Sequence, residues 1–199
     1  MEIIIFVIVS IGVIVTPGPN VLVVVSTSIS HGKARGLQTV AGTSIAMIFQ
    51  LVIAALATSW FVTVLANGFV WLKWFGVAYL FYLGLTSILS ARNSETRGIS
   101  AVGSFRRGFL VSLTNPKTII FFSAFIPQFI VPTASYYLQI TYLSGLFWFL
   151  ALVFDSCYAV LASKLVTVLK GHKIAKFSDY VCGFLYIGTG SALAVTKNG

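Results

Sequence analysis

Long apolar runs separated by short polar segments dominate the pattern along the chain. Six runs are candidates to cross a bilayer, because a transmembrane helix needs about 20 mostly apolar residues. They lie at roughly 3–30, 37–65, 69–90, 108–131, 136–161 and 180–195. A transmembrane strand would alternate apolar and polar positions over about 10 residues, whereas stretches such as 146–153 show no alternation. The pattern therefore predicts an all-α integral membrane protein with six transmembrane helices.

The first run is predicted to be a retained helix and not a cleaved signal peptide. Signal peptides begin with a basic region, whereas this chain has Glu2 and no lysine or arginine before Lys33. Apolar sequence also continues on both sides of Pro17. We therefore count this run among the spans of one membrane domain that covers residues 1–199.

The composition excludes other classes of protein. Of the 199 residues, 58% are hydrophobic and 9% are charged, and the mean hydropathy is +0.98. Soluble domains contain about 25% charged residues, so a soluble enzyme or a nucleic-acid-binding domain is excluded. The net charge of +9 comes from basic residues between the apolar runs, which is typical of membrane loops.

The basic residues also predict the orientation of the chain. Ten of the thirteen lie in the segments after the first, third and fifth runs, while the segments after the second and fourth runs carry no charge and only Lys73 and Lys197 lie near the other side. Cytoplasmic loops carry an excess of lysine and arginine, so the three basic segments are predicted to be cytoplasmic and both termini outside. The chain divides into one repeat at about 1–91, a cytoplasmic loop at about 92–105, and a second repeat at about 106–199.

Two of the predicted helices, the first and the fourth, are interrupted by proline. Each proline lacks an N–H and clashes with the carbonyl four residues earlier, which frees the carbonyls of Val13, Val15 and Ser112. Backbone groups freed inside a membrane must be buried in protein or line a wet cavity. The breaks supply these predicted site residues: Pro17, Gly18, Pro19, Asn20, Asn115, Pro116 and Lys117.

The two breaks occupy the first helix of each half, and the predicted topology makes those helices cross in opposite directions. The chain is therefore predicted to contain two inverted three-helix repeats with helices 1 and 4 broken. Paired interrupted helices mark the substrate site of many transporters. The alternative is that the prolines only kink the two helices, as prolines in membrane helices often do.

Few other polar residues fall inside the runs. Lys117 and Asp155 either pair with each other or serve a transported solute, because charges inside a membrane are costly and face an interior. Burial favours the neutral form of a carboxyl group, so Asp155 is the candidate proton carrier. Helical spacing adds possible cavity-lining residues, for which hydrogen bonding between helices is the alternative: Thr43, Gln50, Tyr79, Tyr82, Trp148 and Tyr158.

Three strings carry a resemblance to a known family: Thr16–Asn20, Gly76–Gly84 and Gly108–Lys117. At these residues the chain resembles the lysine exporter (LysE) superfamily, in its homoserine/threonine resistance branch. The resemblance implies a six-helix bacterial inner-membrane protein that exports amino acids or related metabolites against protons. It also implies roles for the seven break residues and for Asp155.

These observations lead to one hypothesis for function and two alternatives. The hypothesis is a secondary transporter, not an enzyme, that exports a small neutral amino acid or derivative, similar to homoserine, threonine or leucine, by proton antiport. A small-cation exporter would need clustered carboxylates, and Asp155 is the one acid well within a run. A thiol-redox carrier would need cysteines near the breaks, whereas Cys157 and Cys182 lie in the last two runs. The expected partners are an amino acid, a proton, the lipid bilayer and a possible second copy, without a metal, cofactor or nucleic acid.

Overall fold

The computed structural model describes residues 2–56, 74–89, 101–115, 117–118, 121–131, 134–169 and 172–195. Within those residues the regular structure is helical and there is no β-strand. The α-helices are α1 (Glu2–Val15), α2 (Pro19–Leu56), α3 (Trp74–Leu89), α4 (Ala101–Leu113), α5 (Tyr136–Leu169) and α6 (His172–Val195). The prediction of an all-α chain is confirmed for this part of the sequence.

Helix α2 consists of two helical segments joined at Gly32. The backbone of Gly32 has φ 82° and ψ 172°, a conformation that is essentially restricted to glycine. The turn separates residues 19–31 from residues 33–56 and is followed directly by Lys33 and Arg35. The predicted junction between the first two spans, at 30–37, therefore contains a turn at Gly32 that is followed by two basic residues.

Apolar length and apolar surface both fit a membrane environment. Two apolar stretches are long enough to cross a membrane by length and composition: Pro19–Ile53 in α2 and Tyr136–Leu165 in α5. Two shorter apolar helices are Ile3–Val15 and Trp74–Leu89. Many large apolar side chains remain exposed, including Leu138 at 74%. Soluble monomers rarely expose contiguous apolar patches of that kind, whereas lipid covers them.

The structure moves several predicted boundaries. Helix α5 continues to Leu169 and α6 begins at His172, although the pattern predicted a non-helical segment at 162–179. The apolar run ends before the helix does, because a helix can continue into water with lysines on its surface. Part of the predicted loop at 92–105 belongs to α4, which begins at Ala101. The remainder of that loop, and the segment 57–73, lie outside the described residues.

Two clusters of buried apolar side chains form the interior. The first joins α2, α3, α4, α5 and α6 through residues such as Val24, Val111 and Tyr186. The second joins α1, α2, α5 and the segment after α4, through a group of phenylalanines that includes Phe6 and Phe121. Helices α2 and α5 contribute to both clusters. The chain also passes from the second cluster to the first between α1 and α2, and from the first to the second after α4, and these two passages fall at the predicted breaks.

Helices α2 and α4 touch backbone to backbone. A Cβ atom on Gly42 would overlap the carbonyl oxygen of Phe105, and a Cβ atom on Gly108 would overlap the carbonyl oxygen of Thr39. Small residues allow this close approach of membrane helices. The contact brings the middle of α2 against the helix that leads into the second break.

Helices α3 and α6 use the same device. A Cβ atom on Gly84 would lie 2.9 Å from the carbonyl oxygen of Gly183, and one on Gly183 would lie 3.0 Å from the carbonyl oxygen of Gly84. Small residues of the last helix thus pack against α3, with Gly190 against the ring of Phe81.

Candidate functional site

The first break unwinds the chain between α1 and α2. Thr16, Pro17 and Gly18 are not helical, and α2 starts at Pro19. The N–H of Thr16 still reaches the carbonyl of Gly12 at 3.2 Å, and the N–H of Leu22 reaches the carbonyl of Gly18 at 3.0 Å. Neither proline can supply the hydrogen bonds between these two points. The helix is therefore interrupted and not merely kinked.

The second break follows α4. Thr114 and Asn115 are not helical, and helix resumes at Lys117 and Thr118. The side-chain Oδ1 of Asn115 accepts the N–H of Lys117 at 3.1 Å, so Asn115 caps the resumed helix. Pro116 itself lies outside the described residues. Beyond it the chain forms a π-helix at Phe121–Phe125 and a 3-10 helix at Ile126–Phe129.

The three carbonyls that were predicted to be free each accept a side chain from another element. The distances are 2.9 Å from Lys117 Nζ to Val13, 3.1 Å from the Tyr158 hydroxyl to Val15, and 2.9 Å from Gln50 Nε2 to Ser112. Gln50 Nε2 also donates to the carbonyl of Leu113 at 3.1 Å. Protein groups therefore satisfy the backbone that the prolines release, as burial in a membrane requires.

Lys117 links the second break to the first. Its ammonium donates to the carbonyls of Val13 at 2.9 Å and Thr16 at 2.8 Å. The Val13 carbonyl belongs to the last turn of α1 and the Thr16 carbonyl follows that helix directly, where the helix dipole concentrates negative partial charge. Gly18 leaves room for the lysine, because a Cβ atom there would lie 3.2 Å from Nζ. The half-buried Lys117 side chain thus spans the gap between the two interrupted helices.

A second polar connection runs through Asn20, at the start of α2. Its Nδ2 donates to Ser112 Oγ at 3.2 Å, and Ser112 Oγ donates to the carbonyl of Thr43 at 3.2 Å. Ser112 has one hydroxyl proton and gives it to Thr43, so it accepts from Asn20. In this arrangement the Oδ1 of Asn20 has no hydrogen-bond partner among the described residues.

Asn115 is left with the opposite free group. Its Oδ1 accepts from Lys117, and its Nδ2 has no hydrogen-bond partner in the described part of the chain. Asn20 and Asn115 are 7% and 1% exposed. Buried polar atoms without partners are rare in native proteins. The two breaks therefore hold one unused acceptor and one unused donor.

These groups face a cavity between the breaks. Its polar wall is formed by Asn20, Asn115, Lys117, Thr118 and Asp155, and its apolar wall by α1, α2 and α5 side chains including Met47 and Phe147. The cavity holds about 340 Å³ of space free of protein atoms, its open part included. It is narrow, with room for about one water molecule. The residues at which both helices restart thus share one polar chamber, closed to larger solutes in this conformation.

Asp155 faces the chamber from α5 and is 5% exposed. Thr43 Oγ1 lies 3.5 Å from its Oδ2 but also lies 2.9 Å from the carbonyl of Val40. A threonine has one hydroxyl proton, so the shorter bond to Val40 leaves the carboxyl group with a long contact. Two of the three N–H donors of the Lys117 ammonium go to carbonyls. Lys117 and Asp155 both line the chamber, without a hydrogen bond between them among the described residues.

Four of the six residues predicted to line the cavity make hydrogen bonds at the breaks, to Asp155 or to Ser44: Thr43, Gln50, Trp148 and Tyr158. Thr43 and Gln50 are buried, and Trp148 Nε1 donates to the carbonyl of Ser44 at 3.2 Å. Among the described residues, the chamber wall contains none of the six residues that were predicted to line it. Tyr82 is 60% exposed and stacks on the half-buried Tyr79, with ring centroids 6.2 Å apart.

Two features of the site were not predicted from the sequence. Ser112 was identified for its carbonyl, but its hydroxyl also connects Asn20, at the start of α2, with the carbonyl of Thr43 farther along α2. The lysine-binding carbonyl of Thr16 was not predicted either. A signal existed for both, since Ser112 lies four residues before Pro116 and Thr16 ends the helix before Pro17.

Comparison with known proteins agrees with the resemblance found in the sequence. The family model for LysE type translocators matches residues 11–197. The homoserine/homoserine lactone efflux protein of Salmonella typhimurium is 32% identical over 189 residues, which cover 92% of this chain and 91% of that protein. The leucine efflux protein of Klebsiella pneumoniae is 31% identical over 202 residues, covering 94% and 91%. An uncharacterized membrane protein of Vibrio cholerae is 28% identical over 186 residues, covering 91% and 90%.

No solved structure matches the chain. The match of the family model across nearly all of the sequence, and the length of the alignments, confirm what the three motifs predicted. The chain belongs to the LysE type translocator family.

Proposed function

We propose that this protein exports a small neutral amino acid or derivative from the bacterial cytoplasm in exchange for a proton. Family membership supports a translocator. Relatives named for homoserine, homoserine lactone and leucine efflux support the substrate class. The proposed location is the inner membrane, which the bilayer-sized apolar helices and the uncharacterized membrane relative also support.

The observation that carries the proposal is the chamber between the two breaks. An amino acid presents an ammonium group and a carboxylate, and the chamber wall contains both a carboxyl group, Asp155, and an ammonium group, Lys117. Asn20 and Asn115 add an acceptor and a donor that lack partners among the described residues. Asn20, at the start of α2, also lines the chamber, and the N-terminus of a helix favours a carboxylate.

Proton coupling follows from competition at Asp155. The ionised carboxylate attracts the substrate's ammonium into the chamber and the protonated carboxyl group does not, so entry of a proton from outside releases the amino acid. One charge that crosses 100 mV is worth about 2.3 kcal/mol. At about 1.4 kcal/mol per tenfold ratio, one proton sustains roughly a fiftyfold outward gradient. A single acid in the chamber also favours neutral over cationic substrates.

The proposed architecture is six transmembrane helices in two inverted repeats, with both termini outside and a possible homodimer. Two observations support the repeats. The chain crosses between the two apolar clusters in opposite order at its two breaks. The last helix of each proposed half, α3 and α6, also meet through Gly84 and Gly183.

Transport by purified protein in liposomes tests the proposal. We expect efflux of leucine, threonine or homoserine to accelerate when the proton concentration is higher on the opposite side. Asp155→Asn is expected to remove this acceleration while the protein still elutes as a folded species. Asp179→Asn is the matched control, because Asp179 falls outside the predicted spans, and it should transport normally.

The same liposomes distinguish the two alternatives. A small-cation exporter would move monovalent or divalent metal ions and ignore amino acids. A thiol-redox carrier would lose its activity when Cys157 and Cys182 are both replaced by serine. Unaltered proton-driven efflux by Asp155→Asn would exclude the proposed coupling.

A further inference from the structure

We propose that the carbonyl oxygens of Val13 and Thr16, here called the carbonyl cradle, bind the ammonium group of the substrate. Lys117 is then a tethered occupant of that site, which the substrate displaces. The inference rests on the proposed function, since it identifies which groups of the chamber receive each end of the amino acid.

The cradle already holds the type of group that it is proposed to bind. The Lys117 ammonium lies 2.9 Å from one carbonyl oxygen and 2.8 Å from the other. Both carbonyls lie at the end of α1, so the helix dipole adds to their attraction for a cation. The ammonium of an amino acid has the same three donors as that of lysine. A substrate can therefore replace Lys117 without a change in the number or type of hydrogen bonds at the cradle.

The cradle borders the chamber. Val13 and Lys117 both form part of the chamber wall, together with Asn20, Asn115 and Asp155. The narrow chamber cannot hold an amino acid while Lys117 lies across it. Withdrawal of the lysine would enlarge the space at the point where the unused acceptor of Asn20 and the unused donor of Asn115 are found.

Displacement gives each charged group of an amino acid a separate role. An incoming ammonium takes the cradle and releases Lys117, whose ammonium then pairs with the carboxylate of the same substrate. A plain amine would release Lys117 without offering it a partner, and a plain carboxylate could not release it. The exchange also cuts the link between α1 and the second break, so substrate binding frees the two interrupted helices to move apart.

Two ligands of similar shape test the inference: L-leucine and 3-methylbutylamine, which is leucine without its carboxyl group. Binding to the purified full chain in detergent is measured by calorimetry. We expect wild-type protein to bind leucine and to bind the amine at least about tenfold more weakly. In Lys117→Met the cradle is vacant, so the amine should bind about tenfold more tightly than it binds wild type, while leucine binds more weakly. Lys164→Met, which removes an exposed lysine on α5, should change neither affinity.

A gentler variant leaves the lysine in place. Gly18→Ala adds a Cβ atom 3.2 Å from Nζ and 3.4 Å from Cε of Lys117, and Gly18 lacks the positive φ that would strain alanine. It should weaken the hold of the cradle on Lys117 and raise amine affinity by a smaller factor. It decides the question if Lys117→Met does not fold.

The outcomes separate this inference from the proposed function. Unchanged or weaker amine binding in the folded variants would overturn the displacement of Lys117, even if wild-type protein transports leucine. Failure of wild-type protein to bind or transport any amino acid would overturn the proposed function and the inference with it. Tighter amine binding together with weaker leucine binding supports both.

Discussion

At the scale of single residues, the structure assigns a partner to each carbonyl that a proline releases. Gln50 donates to the buried carbonyl of Ser112 and to the part-buried carbonyl of Leu113, whereas the bond from Tyr158 to Val15 is exposed. An unpaired buried polar group costs about 1–3 kcal/mol, and a typical net hydrogen bond contributes about 1 kcal/mol. Burial therefore decides which partner matters more for stability.

We expect Gln50→Leu to destabilise the protein more than Tyr158→Phe. The first change leaves the part-buried carbonyl of Leu113 without its partner and the buried carbonyl of Ser112 with only the N–H of Asn115, at a cost of about 1–3 kcal/mol, while the second exposes one carbonyl to solvent or lipid headgroups for about 1 kcal/mol. Thermal unfolding in detergent measures the order. Tyr142→Phe is the matched control, because Tyr142 is 58% exposed, and its transition should match wild type. A larger loss in Tyr158→Phe than in Gln50→Leu would contradict this ranking.

The released carbonyls could be predicted from the sequence, but their partners could not. Proline acts on its own helix, four residues back, so Val13, Val15 and Ser112 follow from local chemistry. Tyr158 meets Val15 from 143 residues away, and Lys117 meets Val13 from 104 residues away. Contacts at such separations depend on how the helices pack, which no local pattern encodes.

Helical spacing has a related limit, which Tyr79 and Tyr82 illustrate. The pattern placed them on one face of α3, and their rings do stack. It did not determine which way that face turns, and Tyr82 is 60% exposed. A tyrosine has an apolar ring and a polar hydroxyl, so the same spacing suits a lipid-facing surface and a cavity wall.

At the scale of elements, the contact between α2 and α4 positions both breaks. The glycines that permit it, Gly42 and Gly108, lie close to Thr43 and Ser112, which hydrogen-bond across the same interface. The approach of these two helices therefore sets the distance across which Asn20 and Gln50 reach α4.

We expect Gly108→Ala to abolish transport and lower stability, since its added methyl group meets the backbone of Thr39 and cannot rotate away. Separation of α2 from α4 would also lengthen the bond from Ser112 to Thr43. Gly145→Ala is the matched control, because nothing lies within 4 Å of a Cβ atom there. In the helix interior that change should be neutral or stabilising by up to about 1 kcal/mol. Normal transport by Gly108→Ala would show that the close approach is dispensable.

The turn inside α2 allows a second test at this scale. Gly32 has φ 82° and ψ 172°, and a residue with a Cβ atom there costs about 1–3 kcal/mol. Gly32→Ala should therefore lower the unfolding temperature, whereas Gly188→Ala, in an open position on α6, should not. Equal unfolding temperatures for the two variants would mean that the turn is not needed for stability.

At the scale of the whole molecule, the two breaks present complementary groups to each other. The carbonyls of Val13 and Thr16, at the end of α1, accept the side chain of Lys117, which begins the helix after the second break. The negative partial charge at the C-terminal end of a helix favours such a cation. The proposed inverted topology would bring these two ends together, and the lysine bridge supports it.

Orientation in the membrane is the last quantity that the charge pattern predicts, and cysteine labelling in whole cells can measure it. The chain would carry one cysteine, at Lys33→Cys or at Ser135→Cys, in a background with Cys157 and Cys182 replaced by serine. Both positions are exposed. Lys33 follows the first predicted span and Ser135 follows the fourth, so the predicted topology places them on opposite sides of the membrane. An impermeant maleimide should label Ser135→Cys in intact cells and Lys33→Cys only after permeabilisation, because cytoplasmic loops retain the basic residues. Labelling of both in intact cells would contradict the six-span topology, and exchange of the two patterns would place the termini in the cytoplasm.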